Sequence, residues 1–318
     1  MNATYYEGWA PLHTAAYKGC FDIVELLLGS SSASLEARNM KQETPLELYC
    51  ANGKLDMARF LIDRGSDINS QDEIGNIPLH AASRYGHADV VRLLLDCGSD
   101  VNARERRRWT PLHFASRYGY FRLACILIDH GADVNAQESN WTVSQVISAF
   151  AGKPPLHLVS SGGHDVDMAK LLVDRGANVD SWTDDKMTPL ALSSFLGHLE
   201  IARFLIKTGT TVSARDRVGN TPFYMASYRG HLQVAKFLLE FDIDVDVRNG
   251  DRWTPLHLAS SNGKLDVVRF LIDQGANILI GDSNNWNPLH IASLYGCLNV
   301  VQLMINTGIP VDVWDGSK

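Results

Sequence analysis

The sequence predicts an all-α repeat fold built from stacked helix–turn–helix units, and three observations carry that expectation. A proline-centred stretch recurs at Pro11, Pro45, Pro78, Pro111, Pro155, Pro189, Pro222, Pro255 and Pro288, at intervals of 34, 33, 33, 44, 34, 33, 33 and 33 residues. A fixed period of this size marks a repeat array. Glycine follows each proline at one offset: Gly19, Gly53, Gly86, Gly119, Gly163, Gly197, Gly230, Gly263 and Gly296. After each glycine comes a short segment with apolar residues at helical spacing, as in Val267, Val268, Leu271 and Ile272.

Residues 249–281 show how one unit works. Thr254 can cap a helix, and Pro255 suits its first position, where a missing N–H costs nothing. The first helix ends at Gly263, as a left-handed residue past a helix C-terminus requires. The second helix carries the apolar face above and ends at Gly275. Small residues at Ala259 and its equivalents Ala15, Ala82, Ala115, Ala226 and Ala292 allow first helices to approach closely. A unit this small buries little by itself, so neighbours must supply most of the stability. The period places repeat starts near residues 4, 38, 71, 104, 148, 182, 215, 248 and 281, and residues 1–318 read as a single array.

These motifs resemble the ankyrin-repeat family. The match rests on Thr110-Pro111-Leu112-His113, on Gly230-His231 between helices, and on Gly131-Ala132-Asp133-Val134-Asn135-Ala136 at the repeat end. The resemblance covers nearly the whole chain. It implies a curved solenoid of stacked units with β-hairpin-like fingers at the side. It also implies protein–protein binding through the fingertips and the concave face formed by the first helices. In the family the asparagine of the Asp-Val-Asn step can be hydroxylated, and Asn69, Asn102 and Asn135 match that position. A turn residue bonding its own backbone is the alternative role for them.

Composition narrows the functional classes. The net charge of −7 disfavours nucleic acid as a partner of the whole molecule. No apolar run approaches the roughly 18 residues that span a bilayer, and residues 1–6 lack the pattern of a signal peptide. Five cysteines, Cys20, Cys50, Cys97, Cys125 and Cys297, include no C-x-x-C pair, so neither a disulfide framework nor a zinc site is expected. An intracellular location, cytoplasmic or nuclear, follows as the expectation.

Departures from the pattern point to a natural rather than a consensus sequence. Repeat two has Glu47 and Tyr49 where histidine and alanine are usual, and repeat seven has Asp242 where glycine would end the second helix. Eleven extra residues, 143–153, separate repeats four and five. Val143, Val146, Ile147 and Phe150 make one helical face there, which either packs on the array or protrudes to dock a partner. The last second helix keeps Val300, Val301, Leu303, Met304 and Ile305, with Trp314 beyond, whereas a terminal repeat normally turns a polar face outward. Either a longer protein or another covering surface is expected there.

Catalysis is not expected. All eleven histidines fall at template positions: six in the Thr-Pro-Leu-His slot, four after the inter-helix glycine, and His130 before Gly131. Their expected work is to bond backbone in turns. No zincin, nucleophile-elbow or P-loop pattern occurs, and no cofactor or metal is expected.

Partner-binding candidates are the positions the template leaves free. Trp9, Trp109, Trp253 and Trp286 precede the helix start, with Trp141 equivalent in the irregular segment, so five of seven tryptophans share one slot. A second set precedes the inter-helix glycine: Tyr17, Arg84 and Tyr85, Arg117 and Tyr118, Tyr228 and Arg229, and Tyr295. Tryptophan, tyrosine and arginine are the residue types enriched at interface hot spots. Arg106, Arg107 and Arg108 add a basic finger, making a basic–aromatic patch in repeats three and four. A solvated charge run is its bland reading; an acidic peptide is the partner it would suit. The leading expectation is a non-catalytic scaffold that binds another protein or peptide. The alternatives are polyanion or nucleic-acid binding through the patch, or service as the targeting module of a larger enzyme.

Overall fold

The computed structural model describes residues 8–29, 34–138, 153–163 and 166–308. Among them the chain forms eighteen α-helices and one 3-10 turn, Leu239–Phe241, with no strand. It divides into two compact units.

The first unit holds Met1–Gln145, Pro154–Gly162 and Leu171–Ala177. Its helices are α1 (Pro11–Lys18), α2 (Phe21–Leu28), α3 (Pro45–Ala51), α4 (Leu55–Asp63), α5 (Pro78–Arg84), α6 (Ala88–Asp96), α7 (Pro111–Tyr118), α8 (Phe121–Asp129) and α9 (Pro155–Gly162). First helices α1, α3, α5, α7 and α9 pack each on the next, and second helices α4, α6 and α8 do the same behind them. Ala82 and Ala115 are fully buried in the first-helix row, as their small size allows. Leu46, Leu79 and Leu112, each one residue past its proline, are likewise fully buried.

The second unit holds Val146–Lys153, Gly163–Lys170 and Asn178–Lys318; α10 (Val166–Asp174) is shared by the division. Its other helices are α11 (Pro189–Leu196), α12 (Leu199–Lys207), α13 (Pro222–Arg229), α14 (Leu232–Leu238), α15 (Pro255–Ser261), α16 (Leu265–Asp273), α17 (Pro288–Leu294) and α18 (Leu298–Asn306). The row α11, α13, α15, α17 and the row α12, α14, α16, α18 repeat the arrangement of the first unit.

Every first helix begins at its proline, and in five of the nine a histidine two residues on (His13, His80, His113, His257 or His290) completes the start. His80 Nδ1 accepts the N–H of Ile77 at 3.2 Å, and His113 Nδ1 accepts that of Thr110 at 3.0 Å. An acceptor Nδ1 leaves the ring proton on Nε2, which donates forward into the next repeat: His13 to the Glu43 carbonyl at 3.0 Å and His257 to that of Trp286 at 2.9 Å. One neutral ring therefore satisfies a helix N-terminus and bolts it to its neighbour. The arrangement also works where the cap residue, Ala10 or Ile77, has no side-chain acceptor.

Histidines after the inter-helix glycine reach backward instead. His87 Nε2 lies 3.0 Å from the Ala51 carbonyl, and His231 Nε2 lies 3.1 Å from that of Phe195. Their rings rest on the previous repeat's glycine, so a Cβ at Gly53 would meet His87 Nδ1 at 2.5 Å. Gly53 is thus required twice, for that approach and for its φ of 67°. Histidines at both template positions thus bond backbone, the work expected of them from the sequence.

Fingers are closed by an acceptor side chain at their base. Asp72 Oδ1 takes the N–H groups of Ile74 and Asn76 at 2.9 and 2.8 Å, and Asn249 Oδ1 takes those of Asp251 and Trp253 at 3.0 and 2.9 Å. Successive fingertips then bond each other through backbone, Glu73 N–H to the Lys41 carbonyl at 2.8 Å and Arg106 N–H to that of Ile74 at 2.8 Å. Asn102 spans the same boundary from below, donating to the Gly131 carbonyl at 3.1 Å and accepting the Asp133 N–H at 2.8 Å. Its amide is committed to the stack.

The departures noted in the sequence are accommodated locally. Glu47 and Tyr49 are both buried in α3. Asp242 adopts the left-handed conformation, φ 53°, in the place of the usual glycine. Leu298 and Ile305 of α18 are exposed, 74 % and 41 %, while Val300 and Met304 are buried. The helical face read in residues 143–153, except Lys153, and also Trp141 and Trp314, lie outside the described residues.

Candidate functional site

A groove of about 450 Å³ opens in the first unit between the ends of α5 and α7 and the finger that precedes α7. Arg84, Arg106, Arg107, Trp109 and Tyr118, all proposed from the sequence, line it together. The repeat explains the convergence: Arg84 and Tyr118 occupy neighbouring positions of the last turn in α5 and α7, and the finger hangs beside them. Three further lining residues carry weight: Ile74 and Phe114, which the sequence does not single out, and Glu105, which the sequence presents only as part of the basic finger.

Phe114 is 8 % exposed and floors the groove, with Trp109 edge-on to it at 4.9 Å. Its signal was available, since the corresponding residues Thr14, Ala81, Leu158 and Leu258 are not aromatic. Ile74 projects from the previous fingertip, 37 % exposed. Glu105 is 6 % exposed and holds the finger in shape, its Oε1 accepting Arg107 N–H at 2.9 Å and Trp109 N–H at 3.1 Å. The groove therefore has an apolar floor and an arginine rim. Arg106 is steadied by a 2.9 Å bond from Nη2 to the Glu73 carbonyl.

The remaining candidates of this unit lie outside the lining of that groove. Tyr85 is 56 % exposed, with the Arg84 guanidinium 6.0 Å from its ring centre. Arg108 is exposed at the left-handed position of the finger, φ 62°. Arg117 Nη1 reaches Ser161 Oγ at 3.4 Å. Trp9 meets Tyr17 edge-on at 5.5 Å at the start of the unit.

In the second unit Tyr228 stacks on Phe195 at 6.2 Å, and the Arg229 guanidinium lies 4.6 Å from the Phe195 ring centre. Tyr295 is 58 % exposed beside Leu294 at the end of α17. Trp286 stacks on His290 at 6.2 Å and borders an apolar recess of about 340 Å³ with Leu289, Leu294, Val301 and Ile305.

The tryptophan slot is less open than the sequence implies. Trp109 stacks on His113 at 6.0 Å, and its indole N–H donates to Glu138 of the next repeat. Trp253 repeats this over His257, with Nε1 bonded to Asp282 at 3.1 Å. These rings lock fingers to neighbours and leave part of one surface to solvent. The acidic partner stands 29 residues away, where nothing local announces it.

Among the described residues no group of three or more His, Cys, Asp or Glu side chains could hold a metal, and no helix is long and apolar enough to cross a membrane. The five cysteines are free thiols.

A family model described as ankyrin repeats (3 copies) matches in overlapping stretches at residues 1–72, 47–138, 140–216, 156–249 and 223–315. Among similar curated proteins is protein phosphatase 1 regulatory subunit 27 of Mus musculus, 36 % identical over 24 % of this chain and 50 % of the relative. Another is ankyrin repeat and SOCS box protein 2 of Bos taurus, 36 % identical over 19 % of this chain and 10 % of the relative. A third is alpha-latrocrustotoxin-Lt1a of Latrodectus tredecimguttatus, 33 % identical over 24 % of this chain and 5 % of the relative. The matched segment spans at most half the length of each of these three relatives.

Proposed function

The chain belongs to the ankyrin-repeat family, and from that premise we propose that it is a non-catalytic scaffold that binds another protein on its finger-lined first-helix face. Reading residues 1–318 as one array is part of the same proposal. The observation that carries it is the separation of roles within first helices such as α7. Proline, leucine and histidine at the start are buried, as in Pro111, Leu112 and His113, while arginine and tyrosine at the end stand exposed, as in Arg117 and Tyr118. A surface that only needed solubility would favour lysine and glutamate at such positions. Similarity to a regulatory subunit of a phosphatase supports a role exercised through binding.

The experiment is site-specific photo-crosslinking in cell extract. A crosslinker replacing Tyr118 on the first-helix face is compared with one replacing the exposed Arg92 on α6. Discrete protein adducts from position 118 and none from position 92 are expected. Adducts from position 92 alone, or equally from both, would move the binding surface elsewhere.

A further inference from the structure

We infer that the groove formed by α5, α7 and residues 105–109 receives an acidic peptide segment in which an apolar side chain is flanked by carboxylates. This rests on the scaffold reading and narrows it to one partner chemistry at one place.

The floor and the rim call for different parts of such a ligand. Ile74, Trp109 and Phe114 offer apolar surface inside about 450 Å³, room for a large side chain with its flanking backbone. Arg84, Arg106 and Arg107 surround it with three guanidinium groups, all on exposed residues. Guanidinium pairs with carboxylate through two parallel N–H bonds, a geometry lysine does not offer. Arg106 is already held by the Glu73 carbonyl, so less side-chain freedom is lost when it binds.

The one acidic residue lining the groove does not close it. Glu105 is buried, and its Oε1 is occupied by two backbone N–H groups of its own finger. Glu138 accepts the Trp109 indole and lies outside the lining. Three positive charges thus face one negative charge in the groove, on a chain whose net charge is −7. An acidic ligand is repelled by much of the molecule and attracted here, which fixes where it docks.

The same features weigh against a nucleic-acid strand. A strand needs cations along a continuous track and free aromatic faces for stacking. Repeat two has Ala51 and Asn52 at the positions of Arg84 and Tyr85, so the positive track stops after one repeat boundary. Trp109 has one face taken by His113 and an edge against Phe114.

Fluorescence anisotropy on the full chain tests the assignment with four labelled probes. One is a peptide of alternating aspartate and glutamate around a central leucine. The second replaces the acids by their amides, the third replaces the leucine by alanine, and the fourth is a single-stranded oligothymidine. The first peptide is expected to bind at least about tenfold more tightly than the second or third. Arg84→Glu with Arg107→Glu is expected to abolish that binding, and Arg84→Gln with Arg107→Gln to weaken it about tenfold, with unchanged thermal unfolding. Equal affinity for the amide peptide, or binding indifferent to both arginine pairs, overturns the proposal. So does tighter binding of the oligonucleotide with a steep loss in salt. If no peptide binds while crosslinks from position 118 persist, the groove assignment fails and the scaffold reading stands.

Discussion

His80 and Trp109 meet across a repeat boundary: the Nε2–H of His80 points to the Trp109 carbonyl at 3.1 Å, while its Nδ1 accepts the N–H of Ile77. The Ala103 carbonyl shares the same proton at 3.0 Å. Both ring nitrogens are thereby committed with the imidazole neutral, and burial pushes its pKa down from 6.5 to about 4.

Acid should therefore loosen the first unit. Between pH 6.5 and 4 the unfolded chain takes up a proton that folded His80 refuses, so its contribution is complete above pH 6.5 and is lost as pH falls toward 4. At about 1.4 kcal/mol per pH unit, the loss from His80 reaches about 3 kcal/mol. His257 of the second unit is shifted the same way by burial. Denaturant unfolding of the Glu47→Gln variant, which lacks the opposing titration of the buried Glu47, should show the midpoint falling from pH 7.5 to 4. A flat profile would mean that these rings accept a proton in place.

Glu47 should impose the opposite slope. It occupies the histidine slot of repeat two, and burial, reinforced by the negative charges of Asp72 and Glu43, raises its pKa from 4.5 to about 9. Between those values the folded chain holds a proton that the unfolded chain releases, so stability is lost as pH rises from 4.5 toward 9. Glu47→Gln should remove this decline, and Glu47→His, restoring the repeated bond pattern, should add about 1 kcal/mol at neutral pH. Hydrogen exchange of the α3 amides, measured at pH 6 and 8.5 in each variant, reads the effect where it arises.

Gly53 and His87 should behave as a coupled pair. Alanine at Gly53 incurs the left-handed penalty of about 1 kcal/mol and also collides with the His87 ring. His87→Ala alone removes a hydrogen bond to the Ala51 carbonyl. The double variant should be more stable than the sum of the two single losses predicts, by about 1 kcal/mol or more, because the collision disappears. Strict additivity in a double-mutant cycle would show that the ring moves aside freely.

Trp109 should separate from the arginines in a stability measurement. Trp109→Ala removes contacts with His113 and Phe114 and the bond to Glu138, and is expected to cost about 2–4 kcal/mol. Arg107→Ala and Tyr118→Ala alter exposed side chains and should change stability by less than about 0.5 kcal/mol. Calorimetric melting of the three variants distinguishes a scaffold residue from binding residues. A silent Trp109→Ala would return that ring to the interface alone.

Much of this was legible in the residues themselves, for a local reason. Helix starts and stops depend on groups a few positions apart, such as Thr254 with Pro255 and His257, so the chemistry is written where it acts. Repetition then shows the same solution many times, and neighbouring repeats must stack because none can bury its own faces. The grouping of Arg84 and Tyr118 followed from that periodicity.

What the tertiary structure alone decided was the partner of each template-free side chain. Trp109 and Trp253 read as open positions because their acidic acceptors stand 29 residues downstream, and Glu105 reads as part of a charge run although it is buried within its own finger. Phe114 becomes a floor only when Ile74 of the previous fingertip comes beside it. Short-range capping leaves a mark at one place in the chain, whereas a bond between repeats depends on which side chain the stacking brings opposite, and that is settled only when the units pack.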